Sequence, residues 1–133
     1  MFYPVMLNIE ERLVSVVGGG EVALRKVRGL LEHKAHVRVI SPQFLEDFIN
    51  LRGSLELIGE CYREELIKES FMVIAATSSK EVNLKIEGYC KENRILCSIA
   101  DDMKLSDFIQ PSIIRRGSLV ISVSTEGKSP ALS

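Results

Sequence analysis

The sequence predicts an α/β fold: a Rossmann-like parallel sheet with helices on both faces and an added C-terminal β-hairpin. Three observations carry this. Leu13–Val17 and Phe71–Ala76 are nearly continuous apolar runs, as expected of strands buried on both faces. Glu21–His33 and Lys80–Asn93 carry apolar residues mostly three or four positions apart, the spacing of a helix with one buried side. After Ala100 the alternation stops, and the turn signal Arg115-Arg116-Gly117-Ser118 divides two β-rich runs.

Taken in order, the first strand, Leu13–Val17, stops at Gly18-Gly19-Gly20. The helix that follows turns Val22, Leu24, Val27, Leu30 and Leu31 inward, leaving Arg25, Lys26 and Arg28 outside. Val37–Ile40 is the second strand, closed by Ser41-Pro42. Phe44–Leu51 has helical spacing, and Leu55–Ile58 alternates as a third strand after the break at Gly53. Glu64–Glu69 suits a short helix before the fourth strand, Phe71–Ala76. The helix over Lys80–Asn93 places Val82, Leu84, Ile86 and Tyr89 along its apolar side, and Ile95–Ile99 is the fifth strand. A polar stretch, Asp101–Asp107, leads to a hairpin extension at about 108–124, expected to add to the sheet. With no linker or repeat, residues 1–133 read as one domain.

Composition narrows the function classes. The 17 Lys+Arg and 18 Asp+Glu give a net charge of -1, so no broad positive field favours nucleic acid or an anionic membrane, and neither is expected as a partner. No apolar run approaches the roughly 18 residues of a spanning helix, and the first residues lack a basic signal-peptide start, which makes the cytoplasm the default location. The 3 cysteines, Cys61, Cys90 and Cys97, are odd in number and widely spaced, and read as buried free thiols. His33 and His36 form an HxxH with no carboxylate or cysteine nearby in sequence. They read as polar turn residues, and no metal site is expected.

Gly18-Gly19-Gly20-Glu21-Val22-Ala23 satisfies G-x-G-x-x-G/A between a strand and a helix. That context calls for a tight turn, close approach of backbone to a pyrophosphate and close helix packing, with helix N–H groups facing the phosphates. NAD is the expected cofactor. The acidic residue usual at the end of the second strand is absent, and Ser41 occupies that region. Its hydroxyl suits a ribose, as NAD requires, but lacks the charge that repels the 2′-phosphate of NADP. Arg38 reads as a solvated strand residue, with a phosphate contact as the other reading. Thr77 and Asn83, after the fourth strand, read equally as cofactor contacts and as parts of a helix cap built on Ser78 or Ser79. Asp101 and Asp102 end the fifth strand at the same sheet edge, where a carboxylate in a partly dry pocket is a competent general base. Solvated turn formation is the other reading of that pair.

The glycine run with Arg25-Lys26, Ile74–Thr77 with Asn83, Ile99–Asp102, Phe108-Ile109-Gln110-Pro111-Ser112 and the tail Ser122–Leu132 closely resemble the precorrin-2 dehydrogenase / sirohydrochlorin ferrochelatase family, which includes the N-terminal module of sirohaem synthase. The late segments, F-I-x-P-S and S-T-x-G-x-S-P-x-L, are far more specific than the glycine fingerprint.

The resemblance implies NAD-dependent oxidation of precorrin-2 to sirohydrochlorin, with Fe²⁺ insertion as a second activity in some members. It implies Asp101 as the catalytic residue; Gly18, Gly20, Glu21, Val22, Ser41 and Thr77 at the cofactor; and Phe108, Pro111 and Ser112 on the tetrapyrrole side. By position, Arg115, Arg116 and Lys128 are candidates to meet substrate carboxylates. Relatives carry a helical dimerisation region past the tail motif that these 133 residues do not include, and a homodimer is expected. The competing reading is a non-catalytic NAD(H)-binding regulatory or scaffold module.

Overall fold

The computed structural model describes residues 1–125. The elements are β1 (Leu13–Val17), α1 (Glu21–Glu32), β2 (His36–Ile40), β3 (Leu55–Ile58), β4 (Met72–Ala75), α2 (Lys80–Glu92), β5 (Leu96–Ile99), β6 (Ser112–Arg116) and β7 (Leu119–Val123). The first five strands form a parallel sheet of order β3-β2-β1-β4-β5. The chain moves outward from β1 to β2 and β3, then returns to β4 and β5 on the other side. The carboxyl ends of β1 and β4 therefore flank the reversal of strand order, where open α/β sheets take their ligands.

Alternation along the strands divides the core into two layers. On one face Val14, Val16, Val37, Val39, Met72 and Ile74 pack with Ala23, Leu24, Val27 and Leu30 of α1 and with Phe48. On the other, Val17, Ile40, Val73, Ala75, Cys97 and Ile99 pack with Ile86 and Cys90 of α2 and with Ile67. The centre of the sheet is thus covered on both faces, and β1 and β4 read as nearly continuous apolar runs because both their sides are buried.

Several expectations change. Phe44–Leu51 makes only a 3₁₀ turn, Glu46–Asn50, because Leu45 is pinned by its N–H to the Gly19 carbonyl and the chain is extended again at Leu51. Glu64–Glu69 likewise yields a single 3₁₀ turn, Glu64–Leu66, as Ile67 drops into the core beneath α2. The hairpin β6–β7 does not extend the main sheet; it is a separate antiparallel pair. The outer edge of β5 is already taken, since Asp107 N–H donates to Cys97 O (2.7 Å), Cys97 N–H to Asp107 Oδ2 (3.0 Å) and Ile99 N–H to Ser106 Oγ (2.9 Å). Val22 and Leu84, read as inward, are exposed. Cys90 and Cys97 are buried free thiols, whereas Cys61 is exposed. His33 Nδ1 donates to the Gly29 carbonyl (2.7 Å), while His36 Nδ1 pairs with the Ser54 hydroxyl (2.6 Å), so the two rings serve different contacts. Among the described residues no helix is long and apolar enough to cross a membrane.

Candidate active site

The three glycines after β1 do different work. Gly18 has φ +135°, and a methyl group there would overlap the Ala76 carbonyl oxygen; its N–H donates to Ile40 O (2.9 Å). It therefore joins β1 to the ends of both neighbouring strands. Gly19, which the fingerprint leaves unspecified, is equally constrained: a methyl group would overlap Gln43 O and lie 2.8 Å from Ser41 Oγ. Only the fold brings that carbonyl close, so no local signal marks it.

Gly20 differs from both. It is the N-cap of α1, with extended backbone (φ -98°, ψ -163°) and no side-chain hydrogen bond to the first turn. No protein atom lies within 4 Å of where its side chain would be. The first turn of α1 thus presents free N–H groups, and the positive end of its dipole, to open space. Glu21 and Val22 in that turn are exposed, whereas Ala23 is fully buried and lets α1 pack closely on the sheet.

Around this opening, Ser41 is buried and its hydroxyl donates to Gln43 O (2.6 Å), closing the turn that presses on Gly19. Arg38 is half-buried and away from the opening: its Nε–H donates to the exposed Glu56 (2.7 Å) and its guanidinium also reaches Leu66 O (3.0 Å). Thr77 stands beside Gly18 but is held by Asn83. The Thr77 hydroxyl donates to Asn83 Oδ1 (2.6 Å), and the Asn83 amide donates back to Thr77 O (3.2 Å). Ser79 caps α2 by accepting from Val82 N–H (3.2 Å).

Asp101 and Asp102 separate cleanly. Asp102 Oδ1 accepts the N–H groups of Lys104 (3.1 Å) and Leu105 (3.4 Å) and so caps a 3₁₀ turn. The Asp101 carboxylate is exposed and has no hydrogen bond or ion pair among the described residues. Ala100 N–H donates to Ala75 O (2.9 Å), placing Asp101 one residue beyond the edge row that contains Gly18 and Ala76. β4 alone intervenes, so the two chain segments are roughly 10 Å apart at the usual strand spacing.

Gly18, Gly20, Glu21, Val22, Ser41, Thr77 and Asp101 are therefore brought to one sheet edge. Phe108 packs on the α1-side core from beyond β5, with Pro111 and Ser112 half-buried where β6 begins. Arg115 is elsewhere: it lines a cavity of about 350 Å³ with Glu32, His33 and Lys34, at the far end of α1 from the glycines. Lys128 and the rest of the tail motif from position 126 onward lie outside the described residues. A larger open cleft of about 490 Å³, lined by Arg12, Ser70, Phe71 and Arg94, sits at the opposite, amino edge of the sheet and shares no residue with this group.

The profile of the family described as "Putative NAD(P)-binding" matches residues 5–112. The chain belongs to that family. Within it, the chain is 37% identical over 134 residues to "Siroheme synthase 2" of Yersinia enterocolitica and 37% identical over 135 residues to "Siroheme synthase" of Nitrosomonas europaea. Each alignment covers 99% of this chain and 28% of the relative, so the chain spans little more than a quarter of their length. The fold is similar to the solved structure of "SirC, precorrin-2 dehydrogenase", with TM-score 0.83, 30% identity, 98% of this chain covered and 65% of that one. The uncapped Gly20–Val22 turn lies within the matched residues.

Proposed function

We propose that this chain oxidises precorrin-2 to sirohydrochlorin with NAD as acceptor. The observation that carries the reading is an open, uncapped helix N-terminus sharing a sheet edge with an unengaged aspartate. The similarity to siroheme synthases and to a precorrin-2 dehydrogenase supports the choice of substrate.

The residues present fit the dinucleotide. Gly20 leaves room for it and the first-turn N–H groups of Glu21 and Val22 would hold its phosphates, with Ser41 toward the ribose and Thr77 beside the middle of the molecule. When bound, NAD supplies the acceptor for a hydride. Loss of two hydrogens from the tetrapyrrole also releases a proton, and Asp101 takes it: its carboxylate oxygens are not committed to donors within the chain. Asp102 holds the following turn in shape and so fixes where Asp101 emerges. Phe108, Pro111 and Ser112 form the tetrapyrrole side of the site, and Arg115, beside Glu32 at the far end of α1, stands apart from it.

The same reading takes residues 1–133 as one NAD-binding unit in the cytoplasm, with Fe²⁺ as a further substrate at Asp101. It also takes the protein as a homodimer. One face of the hairpin exposes Ile114, Leu119, Ile121 and Val123, each at least 40% accessible, and a second copy covering that face would bury this apolar patch.

The test is to mix the purified chain with enzymatically made precorrin-2 and NAD and follow sirohydrochlorin absorbance. Product is expected from wild type, and a drop of at least 100-fold in rate from Asp101→Ala. A wild-type chain that binds NAD yet forms no product contradicts the dehydrogenase; an equally active Asp101→Ala removes only the assignment of the base.

A further inference from the structure

α1 has two flanks beside its buried stripe. On one, Arg28 pairs with Asp47 (3.9 Å) and Leu31 packs over Gly53, so that flank looks toward β3. The opposite flank carries Val22, Lys26 and His33, at i, i+4 and i+11. His33 shares a cavity wall with Arg115 and Ile9, so this flank looks toward the segment that crosses from Phe108 into β6.

Lys26 is half-buried on that flank. The ion pairs among the described residues use Arg28, Arg38, Arg63 and Lys85, and none reaches Lys26. Burial, then the neighbouring Arg25 charge, holds its ammonium below the ordinary lysine value. A partly desolvated cation without a counter-ion is unfavourable, and an anionic ligand relieves it. Its Cα lies six residues past the Gly20 cap, roughly 9 Å along the helix, which places the ammonium beyond the first turn that faces the dinucleotide.

Resting on the substrate class proposed above, we infer that Lys26 binds a peripheral carboxylate of the tetrapyrrole and holds the substrate between α1 and the Phe108–Ser112 segment. Precorrin-2 is a polycarboxylate, and the arginines that sequence position favoured do not answer for it here. Arg115 lies at the other end of α1 with Glu32 in the same cavity, and Arg116 is exposed in the hairpin. A lysine suits the task as a point charge on a flexible stem, able to follow a carboxylate on a mobile side arm.

The test uses Lys26→Met, which keeps the apolar stem, and Lys26→Arg, which keeps the charge. Two readouts are taken: KM and kcat for precorrin-2, and direct binding of uroporphyrin, a stable polycarboxylate tetrapyrrole, followed by fluorescence. Lys26→Met is expected to raise KM and weaken uroporphyrin binding about tenfold, with kcat and NAD affinity within about twofold and Lys26→Arg restoring most of the loss. Its thermal midpoint should equal or exceed that of wild type, because no partner is lost. If wild type proves inactive but binds uroporphyrin in a Lys26-dependent way, the dehydrogenase reading fails and this one stands. Tetrapyrrole binding that is absent in wild type or unchanged in Lys26→Met overturns it, as does a loss confined to NAD affinity, which would assign Lys26 to the dinucleotide phosphates.

Discussion

Two strand-to-helix junctions lie side by side at the carboxyl edge of the sheet, and they are built in opposite ways. After β4, Ser79 caps α2 and Asn83 clamps Thr77, so the side chains of the junction satisfy one another. After β1, Gly20 caps α1 with no side chain at all, and the first turn opens outward. Equivalent positions in one topology thus divide into a closed junction that stabilises the fold and an open one that leaves its hydrogen-bonding capacity to a ligand. Being at the right edge of the sheet does not make a site; leaving the helix end unsatisfied does.

Substitutions can break that contrast, and Gly18 should have the largest effect. Gly18→Ala combines a positive φ with overlap on the Ala76 carbonyl, and should cost at least about 3 kcal/mol in denaturant unfolding, with NAD binding lost as the edge distorts. Asn83→Ala removes a buried clamp and leaves the Thr77 N–H and carbonyl without their side-chain partner, for about 2 kcal/mol. Ser79→Ala removes one cap at about 1 kcal/mol and should leave NAD affinity unchanged. Weakened NAD binding in Ser79→Ala would mean that the closed junction is also a ligand site.

The layer beneath α2 sharpens the comparison further, because it holds titratable groups. The Cys97 thiol, hydrogen-bonded with Cys90 and buried, is held well above its ordinary 9.0, and burial first of all raises the Tyr62 phenol above 10.0. Both groups keep their protons more tightly folded than unfolded. Their stabilising effect is complete below about pH 9 and is lost as the pH rises beyond it, because the unfolded chain then releases protons that the folded one retains. The thermal midpoint should fall between pH 9 and 10.5 and stay flat from 7 to 8.5. The Tyr62 hydroxyl is buried without a hydrogen-bond partner among the described residues, so Tyr62→Phe should raise stability by up to about 1 kcal/mol and lessen the alkaline fall.

The two central strands, β1 and β4, are legible because a sheet covered on both faces needs nearly unbroken apolar runs, and Val14–Val17 and Met72–Ala75 answer that need directly, while the edge strand β3 is legible from its alternation. Gly18 and Gly20 were legible as a pair, but their contrast was not: one is dictated by a carbonyl across the sheet, the other by empty space. Gly19 and Ser41 gain their meaning only when Gln43 folds back on them. Ser106 and Asp107 read as part of a polar stretch, yet they close the edge of β5 and thereby exclude the hairpin from the sheet. The charge of Arg115 and its place in the chain suggest a substrate contact, and neither reveals that its strand leads away from the glycine edge. Lys26 reads as a solvated helix residue because helical spacing puts it beside the apolar stripe, and its partial burial is a tertiary property that spacing does not carry.

The central claim is that the open β1–α1 junction holds the dinucleotide. Its most direct test is calorimetric titration of NAD into wild type, Gly20→Val and Ser79→Ala. A Cβ at Gly20 has no protein atom within 4 Å and the backbone there is extended, so Gly20→Val should remain folded, with its thermal midpoint within a few degrees of wild type, while NAD affinity falls at least tenfold. Ser79→Ala should bind NAD as wild type does. Undiminished NAD binding by a well-folded Gly20→Val would place the dinucleotide elsewhere and contradict the account.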